Sequence, residues 1–407
     1  SGKPAAEQGY RTTGIQDLAL IYQGGSHRLD WTVDEFRPYV VHRFADGSKD
    51  WLFDGFLFLE FKDGSGRNYT VGYEKLNARR TEWEWLLDRI FEQGKSLSAL
   101  DRCIGQEIKE LGKPAFRHQI VLGLPEAIRG QKDWGKLDGR EMDFSKEEDQ
   151  IAATKWYIGE LVERFKAAKY KHLELSGFYW VAEDTHHCAE LTIPLSEYIH
   201  SEGKLFYWIP YWQAKGHEEW KRLGFDVAYQ QPNHFFNHSI PDSRLDEACA
   251  TARRHGMAME FEFDEKATAA IPNSSYDRMV AYIDHFEKND VFNSSAVAYY
   301  CGNRGVLTLD ESDNPKDKAL MDRLARIIQA RRYLKYGIPM KNKTRVVAHR
   351  GFWHTDGSAQ NSIASLLKAD QLGVYGVEFD VWMASDGVPV LNHDGWHDGY
   401  EVQSTPS

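Results

Sequence analysis

The sequence predicts a mixed α/β protein built on a (β/α)8 TIM barrel, with a second, shorter α/β segment behind it. Three observations point there. Eight short apolar runs alternate with longer amphipathic stretches, the rhythm of parallel strands joined by helices. The alternation extends over ~320 residues, the size of one barrel with an elaborated early half. No GxGxxG turn follows the first run and no P-loop occurs, so the rival, a doubly wound open sheet, lacks its usual signals.

In order, the strands are expected at 17–23, 51–61, 119–124, 172–178, 204–209, 227–231, 257–263 and 296–300. A long helix is expected over 82–111 and another over 146–169, where Ile158, Leu161, Val162 and Phe165 recur at helical spacing. Shorter helices follow near 195–201, 243–255 and 275–288, and a long last one covers 316–336. Gly337 and Pro339 stop that helix, which places the barrel at 1–337, a linker at 338–345 and a separate segment at 346–407.

Composition excludes several function classes. With 50 Lys plus Arg against 61 Asp plus Glu, the net charge is −11 and the pI about 5.8, so no basic footprint for nucleic acid exists. The charge is uneven: residues 346–407 hold eight acidic and two basic side chains. Mean hydropathy is −0.58, and no apolar run approaches the ~18 residues of a membrane-spanning helix. The four cysteines, Cys103, Cys188, Cys249 and Cys301, form no CxxC pattern and read as free or buried thiols. Ser1–Gly2–Lys3–Pro4 carries no signal-peptide pattern. The chain therefore reads either as cytoplasmic or as periplasmic or cell-surface with its signal removed.

Barrel enzymes carry their chemistry at the C-terminal ends of the strands. Here those ends are rich in carboxylates and aromatic rings. The fourth strand leads into Tyr179, Trp180, Glu183 and Asp184; the fifth into Tyr207, Trp208, Tyr211 and Trp212; the sixth into Tyr229, Gln230, Gln231, Asn233 and His234. On the seventh, side chains alternate. If Met257, Met259, Phe261 and Phe263 pack against helices, Glu260 and Glu262 point into the barrel. A carboxylate there must be paired, hydrogen-bonded or open to the mouth; for Glu260 the plain alternative is an ion pair with an interior Arg or Lys.

Paired carboxylates among flat rings suit glycoside hydrolysis: one protonates the leaving oxygen, the other attacks the anomeric carbon or activates water. By analogy with retaining glycosidases of this fold, Glu183 is the acid/base and Glu262 the nucleophile, with Glu174, Glu260 and Asp184 as rivals. The aromatic side chains would stack on sugars, while Gln230, Asn233 and His234 would bind hydroxyls. No cofactor is expected in this barrel. The order LELSGFYW, YWIPYW and EFEFDE resembles a bacterial family of domains of unknown function, glycoside-hydrolase-like in outline, over about residues 10–335. A carbohydrate-binding barrel without turnover is the non-enzymatic alternative.

The last segment reads His349–Arg350–Gly351 after a strand, Asn361–Ser362 opening a helix, Glu378 and Asp380 on a second strand, then Asp386–Gly387 and His393–Asp394. It resembles the opening of a glycerophosphodiester phosphodiesterase, a partial second TIM barrel. The resemblance implies Glu378 and Asp380 as ligands of a divalent cation, Mg or Ca, and His349 and His393 as an acid/base pair. Arg350 would neutralise phosphate. Gln360 stands where the family usually has Glu, and a further acidic ligand of the family is missing, so the segment is expected to be inactive alone. Its open strand edges suggest self-association.

Overall fold

The structure, a computed structural model, describes residues 13–338, 344–355 and 357–407. Residues Ser1–Pro4 and most of the expected linker lie outside the described residues. Eight parallel strands close into a barrel: β1 (Asp17–Tyr22), β2 (Gly55–Leu59), β3 (His118–Leu124), β4 (Leu173–Trp180), β5 (Leu205–Trp208), β6 (Val227–Gln230), β7 (Ala258–Glu262) and β8 (Val297–Tyr300). Each pairs with the next, and β8 returns to β1 through Asp17 opposite Val297. All eight overlap the expected runs.

Period-two alternation builds two cores. On β1, Leu18, Leu20 and Tyr22 fill the barrel interior while Ala19 and Ile21 face the helices. On β7, Met259 and Phe261 join the layer beneath the helices, which sends Glu260 and Glu262 the other way. On β4 the parity changes part-way, because a bulge between Leu175 and Gly177 inserts one residue. Gly177 is required there: a Cβ would lie 2.1 Å from the Leu205 carbonyl oxygen of β5. After the bulge Phe178 and Trp180 face outward and Tyr179 inward.

Up to Tyr336 the helices of seven or more residues are α1 (Val33–Val40), α2 (Arg80–Ile90), α3 (Ser96–Leu111), α4 (Glu147–Ala168), α5 (Ala189–Ser201), α6 (Ser243–His255), α7 (Tyr276–Lys288), α8 (Gly305–Glu311) and α9 (Pro315–Tyr336). The single helix expected over 82–111 is two, α2 and α3. The chain breaks where Gly94 takes φ +79° and Ser96 φ +49°, both left-handed. Helices α1 and α8, of 8 and 7 residues, are too short to announce themselves by periodicity. Among the described residues no helix is long and apolar enough to cross a membrane, and all four cysteines are free and buried.

The chain divides into two compact units. One extends to Phe286 and resumes over Val291–Arg331; the other comprises Glu287–Asp290 and Arg332 onward. In the second, β9 (Val347–His349) and β10 (Gly376–Glu378) pair in parallel across α10 (Ile363–Gln371), and β11 (Val381–Met383) and β12 (Pro389–Leu391) form a hairpin. Ser362 caps α10 by accepting the Ser365 N–H at 3.1 Å.

Candidate active site

A cavity of about 340 Å³ opens at the C-terminal end of the barrel. Three carboxylates line it: Glu183 just beyond β4, and Glu260 and Glu262 on β7. Alternation leaves Glu260 and Glu262 on one face, as expected.

A hydrogen-bonded chain joins Glu183 to Glu262. Gln231 Nε2 donates to Glu183 Oε2 at 2.9 Å, and Gln231 Oε1 accepts from Asn233 Nδ2 at 3.0 Å. The Asn233 backbone N–H then donates to Glu262 Oε1 at 2.7 Å, with its Nδ2 at 3.5 Å from Oε2. Asn233 takes φ +49°, a left-handed backbone Asn tolerates better than most residues. The Tyr282 hydroxyl of α7 also donates to Glu262 Oε1, at 2.7 Å. Glu262 is thus the better-solvated carboxylate by protein donors, and Glu183 has one donor.

Electrostatics follow. Burial pushes the Glu183 carboxyl up to about 7, against the pull of Gln231 and with a push from Asp184. Burial likewise raises Glu262 to about 7, while Tyr282 and Asn233 draw it down and Glu183 pushes it up. Glu260 is raised well above the usual carboxylate range by burial, then by Glu262 and Glu183. No ion pair with an interior base holds Glu260 among the described residues, so the plain structural alternative does not describe it. Three buried acids in one cavity cannot all ionise near neutral pH.

Aromatic rings form one wall. Tyr73 stacks on Phe61 with centroids 4.4 Å apart and planes 2° from parallel. Phe61 abuts Tyr22 at 5.6 Å, Tyr22 meets Tyr300 edge-on at 5.7 Å, and Tyr300 meets Phe236 at 5.5 Å. Tyr73 and Phe236 remain 43% and 50% exposed, which presents rings to a ligand. Arg28 lies over Tyr22 at 4.7 Å, and its fork binds Glu60 at 2.9 and 3.0 Å. Although burial pushes Glu60 up, His27 and Arg28 hold it below its usual range. Lys62 completes the rim.

Several expected site residues lie elsewhere. Glu174 is the second residue of β4, at the opposite end of the barrel; its side chain is 58% exposed and faces Arg117 at 3.7 Å. Trp180 and Trp208 point outward into the layer beneath the helices, where Trp208 Nε1 donates to the Ala182 carbonyl at 2.8 Å. Tyr207 and Tyr229 fill the barrel interior, and Tyr207 meets Ser176 at 2.5 Å. Gln230 is buried and donates to the Gln231 carbonyl at 2.9 Å. His234 is buried against Asp242 at 2.8 Å, and burial lowers its pKa to about 4. Trp212 lies under Arg244 at 4.9 Å. Asp184 accepts the Tyr211 hydroxyl at 2.9 Å. Of the strand-end residues named from the sequence, Tyr179, Glu183, Gln231, Asn233, Glu260 and Glu262 meet in the cavity.

Tyr22, Arg28, Phe61, Lys62, Tyr73, Phe236 and Tyr300 were not expected there. The strand-end rule that led to β4–β7 also reaches them: Tyr22 and Tyr300 are the last residues of β1 and β8, and Phe61 lies just past β2. Tyr73, in the loop after β2, gave no sequence signal.

In the second unit, His349 and Glu378 stand opposite each other in register, with 3.8 Å between their side chains. The Arg350 backbone N–H donates to Glu378 at 3.1 Å, and its guanidinium lies 3.3 Å from Asp380, which also accepts Asn361 Nδ2 at 3.1 Å. Arg350 Nη1 donates to Gln360 at 3.0 Å. His393 is turned to its neighbour Asp394, at 2.8 Å. Glu378 and Asp380, the cation ligands implied by the resemblance, are thus engaged by the Arg350 backbone N–H and by the Arg350 guanidinium with Asn361, respectively.

Similar proteins bear on both parts. Residues 349–402 match the glycerophosphoryl diester phosphodiesterase family. Glycerophosphodiester phosphodiesterase 1 of Rattus norvegicus is 39% identical over 67 residues, 16% of this chain and 19% of that protein. The human protein of the same name is 39% identical over 54 residues, covering 13% of this chain and 16% of its own length. The chain thus spans about a fifth of the length of the curated relatives it matches. Solved structures aligned to the chain include GH26C from Muricauda sp. MAR_2010_75, with a TM-score of 0.37 and 10% identity over 79% of this chain and 94% of that one. A tryptophan synthase from M. tuberculosis gives the same TM-score at 6% identity, over 80% of this chain and all of that one. Residues 17–326 match the family described as Domain of unknown function (DUF4855), and with three quarters of its length inside that match the chain belongs to this family.

Proposed function

We propose that the barrel is a glycoside hydrolase. The observation that carries this reading is the pair Glu183 and Glu262, buried in one cavity, linked through Gln231 and Asn233, and faced by a wall of aromatic rings. Glycosidic bonds resist hydrolysis until a proton reaches the leaving oxygen while a second carboxylate engages the anomeric carbon directly or through water.

The donors divide the labour. Glu262 accepts from Tyr282 and Asn233, so it is the carboxylate equipped to carry negative charge, as nucleophile or base. Glu183, with one donor, is the proton donor, and its pKa near 7 keeps a substantial protonated fraction at neutral pH. Glu260, pushed above the usual carboxylate range by burial and by its neighbours Glu262 and Glu183, lines the same cavity within reach of a sugar hydroxyl. Tyr73 and Phe236 offer flat apolar faces to the C–H faces of a pyranose.

The test is Glu262→Gln and Glu183→Gln in the full chain, assayed by reducing-sugar release from a panel of plant, fungal and bacterial polysaccharides. Turnover on any substrate of the wild type should fall by at least ~10³-fold in either variant, with near-UV circular dichroism unchanged. A fully active Glu262→Gln protein removes the assignment. Glycan affinity without turnover in the wild type would support a carbohydrate-binding barrel instead.

A second reading rests on the 349–402 match. We infer that phosphodiester hydrolysis is not carried by this chain's donor set, since Arg350 and Asn361 engage Asp380 and His393 is turned to Asp394. Glycerophosphocholine should remain intact with the full chain in 5 mM Mg²⁺ or Ca²⁺; hydrolysis that Asp380→Asn abolishes would reverse this reading.

A further inference from the structure

Far from the cavity, the turn before β6 and the end of α6 bring three metal-ligating side chains together. His217 and Glu218 lie in the 3₁₀ turn His217–Glu219, and His255 closes α6. One ligand atom from each lies within 4.8 Å of the other two, the only such trio among the described His, Cys, Asp and Glu residues.

Two features go beyond proximity. The His217 Nδ1–H donates to the Ala214 carbonyl at 2.6 Å, which fixes the tautomer and leaves Nε2 with its lone pair toward Glu218, 3.9 Å away. A backbone carbonyl holding one ring nitrogen while the other faces the ion is the usual support of a metal-binding histidine. The turn is also tied to the helix end independently: Trp220 Nε1 donates to the His255 carbonyl at 2.8 Å, and the two imidazoles meet edge-on at 5.7 Å. The ligands therefore come from two elements that are already braced against each other.

We propose that His217, Glu218 and His255 form a zinc site. Two imidazoles and one carboxylate suit a borderline divalent ion better than Mg²⁺ or Ca²⁺, which prefer oxygen ligands. Tetrahedral zinc with bonds of about 2.0–2.1 Å places its ligand atoms roughly 3.3 Å apart, so modest side-chain rotation closes the trio. Glu218 is exposed, which leaves a path for the ion and room for water as the fourth ligand. The ion joins the lead-in to β6 with the lead-in to β7, the strands whose other ends carry Gln231, Asn233, Glu260 and Glu262. Its role is to brace, not to react.

The experiment is calorimetric titration of ZnCl₂ into the tag-free full chain, with thermal unfolding in parallel. One equivalent should bind, and the melting temperature should rise with zinc. His217→Ala and His255→Ala should each weaken binding at least tenfold and erase the thermal shift; Glu218→Gln should weaken it several-fold. His217→Gln repeats the test should the alanine variant fold poorly. A Glu378→Gln/Asp380→Asn protein should bind zinc as the wild type does. No zinc uptake, uptake unchanged in both histidine variants, or uptake lost only in the Glu378/Asp380 protein overturns the proposal. Loss of glycan turnover without loss of zinc binding would bear on the hydrolase reading alone.

Discussion

Glu183 and Glu262 show how burial in one cavity ties protonation to stability. Each is raised from 4.5 to about 7, chiefly by burial. A carboxyl that binds its proton more tightly when folded adds stability fully below pH 4.5 and loses it as the pH rises through 7. Replacing Glu183 by Gln removes that dependence. The melting temperature of Glu183→Gln should match the wild type near pH 4.5 and exceed it by several degrees at pH 8.5, corresponding to roughly 1–3 kcal/mol. Thermal scans across pH check this; a constant offset would mean the carboxyl is not desolvated. Under the proposed hydrolase reading, the same two groups would also govern the pH dependence of turnover. With an acid and a base both near 7, kcat/KM should follow a narrow bell centred close to neutral, its limbs belonging to the coupled set and not to single residues.

At the scale of elements, the loop after β6 does most of the positioning. Asn233 Oδ1 accepts the Trp212 N–H at 2.6 Å, its Nδ2 reaches Gln231, and its backbone N–H holds Glu262. Asn233→Gly keeps the left-handed backbone and its N–H while removing the side chain, and so isolates that side chain's contribution. It should lower kcat about 10–100-fold with little change in KM, and shift the bell, because Gln231 would lose the partner that aims it at Glu183. An unchanged pH profile with a raised KM would make Asn233 a binding residue instead. Much of this was legible beforehand. The eight strands follow from apolar runs, and the inward pair on β7 follows from alternation. Alternation also argues against Trp208: its neighbour Tyr207 faces inward, so the next ring must face the helices. Trp180 is harder, because the bulge before Gly177 resets the parity and no residue in LELSGFYW announces it beyond a single glycine. Glu174 falls out of the set by its place along the strand: it stands at the start of β4, a barrel's length from the strand ends that line the cavity. Tyr73 lay beyond reach, since a loop ring found by its stack on Phe61 has no period to betray it.

At the scale of the whole molecule, the two units differ in how they are held. The barrel unit has two continuous cores and a buried lock at its closing seam. Asp17 of β1 receives Arg331 of α9 at 3.2 Å and the Tyr299 hydroxyl of β8 at 2.7 Å, while Arg331 donates to the carbonyls of Gln16 and Ser295 at 3.1 and 2.9 Å. Removing one partner strands a buried charge, so Arg331→Met should cost roughly 3–5 kcal/mol by urea unfolding of the barrel. The second unit has no comparable core. Beyond Arg332 its buried apolar side chains, among the described residues, are Ala369, Ala384 and Val402, whereas Ile363, Tyr375, Trp396 and Tyr400 are 76, 63, 62 and 66% exposed. Apolar burial on that scale offsets little backbone entropy, and exposed apolar side chains of that size favour contacts with other chains. We therefore expect limited proteolysis to remove residues beyond about 344 well before the barrel is cut. The remaining fragment should keep its melting temperature and any glycan turnover, and should run as a smaller species than the intact chain at equal concentration on size exclusion. A single cooperative transition for the intact chain, with the segment as protected as the barrel, would show instead that the second unit draws its stability from a source other than its own packing.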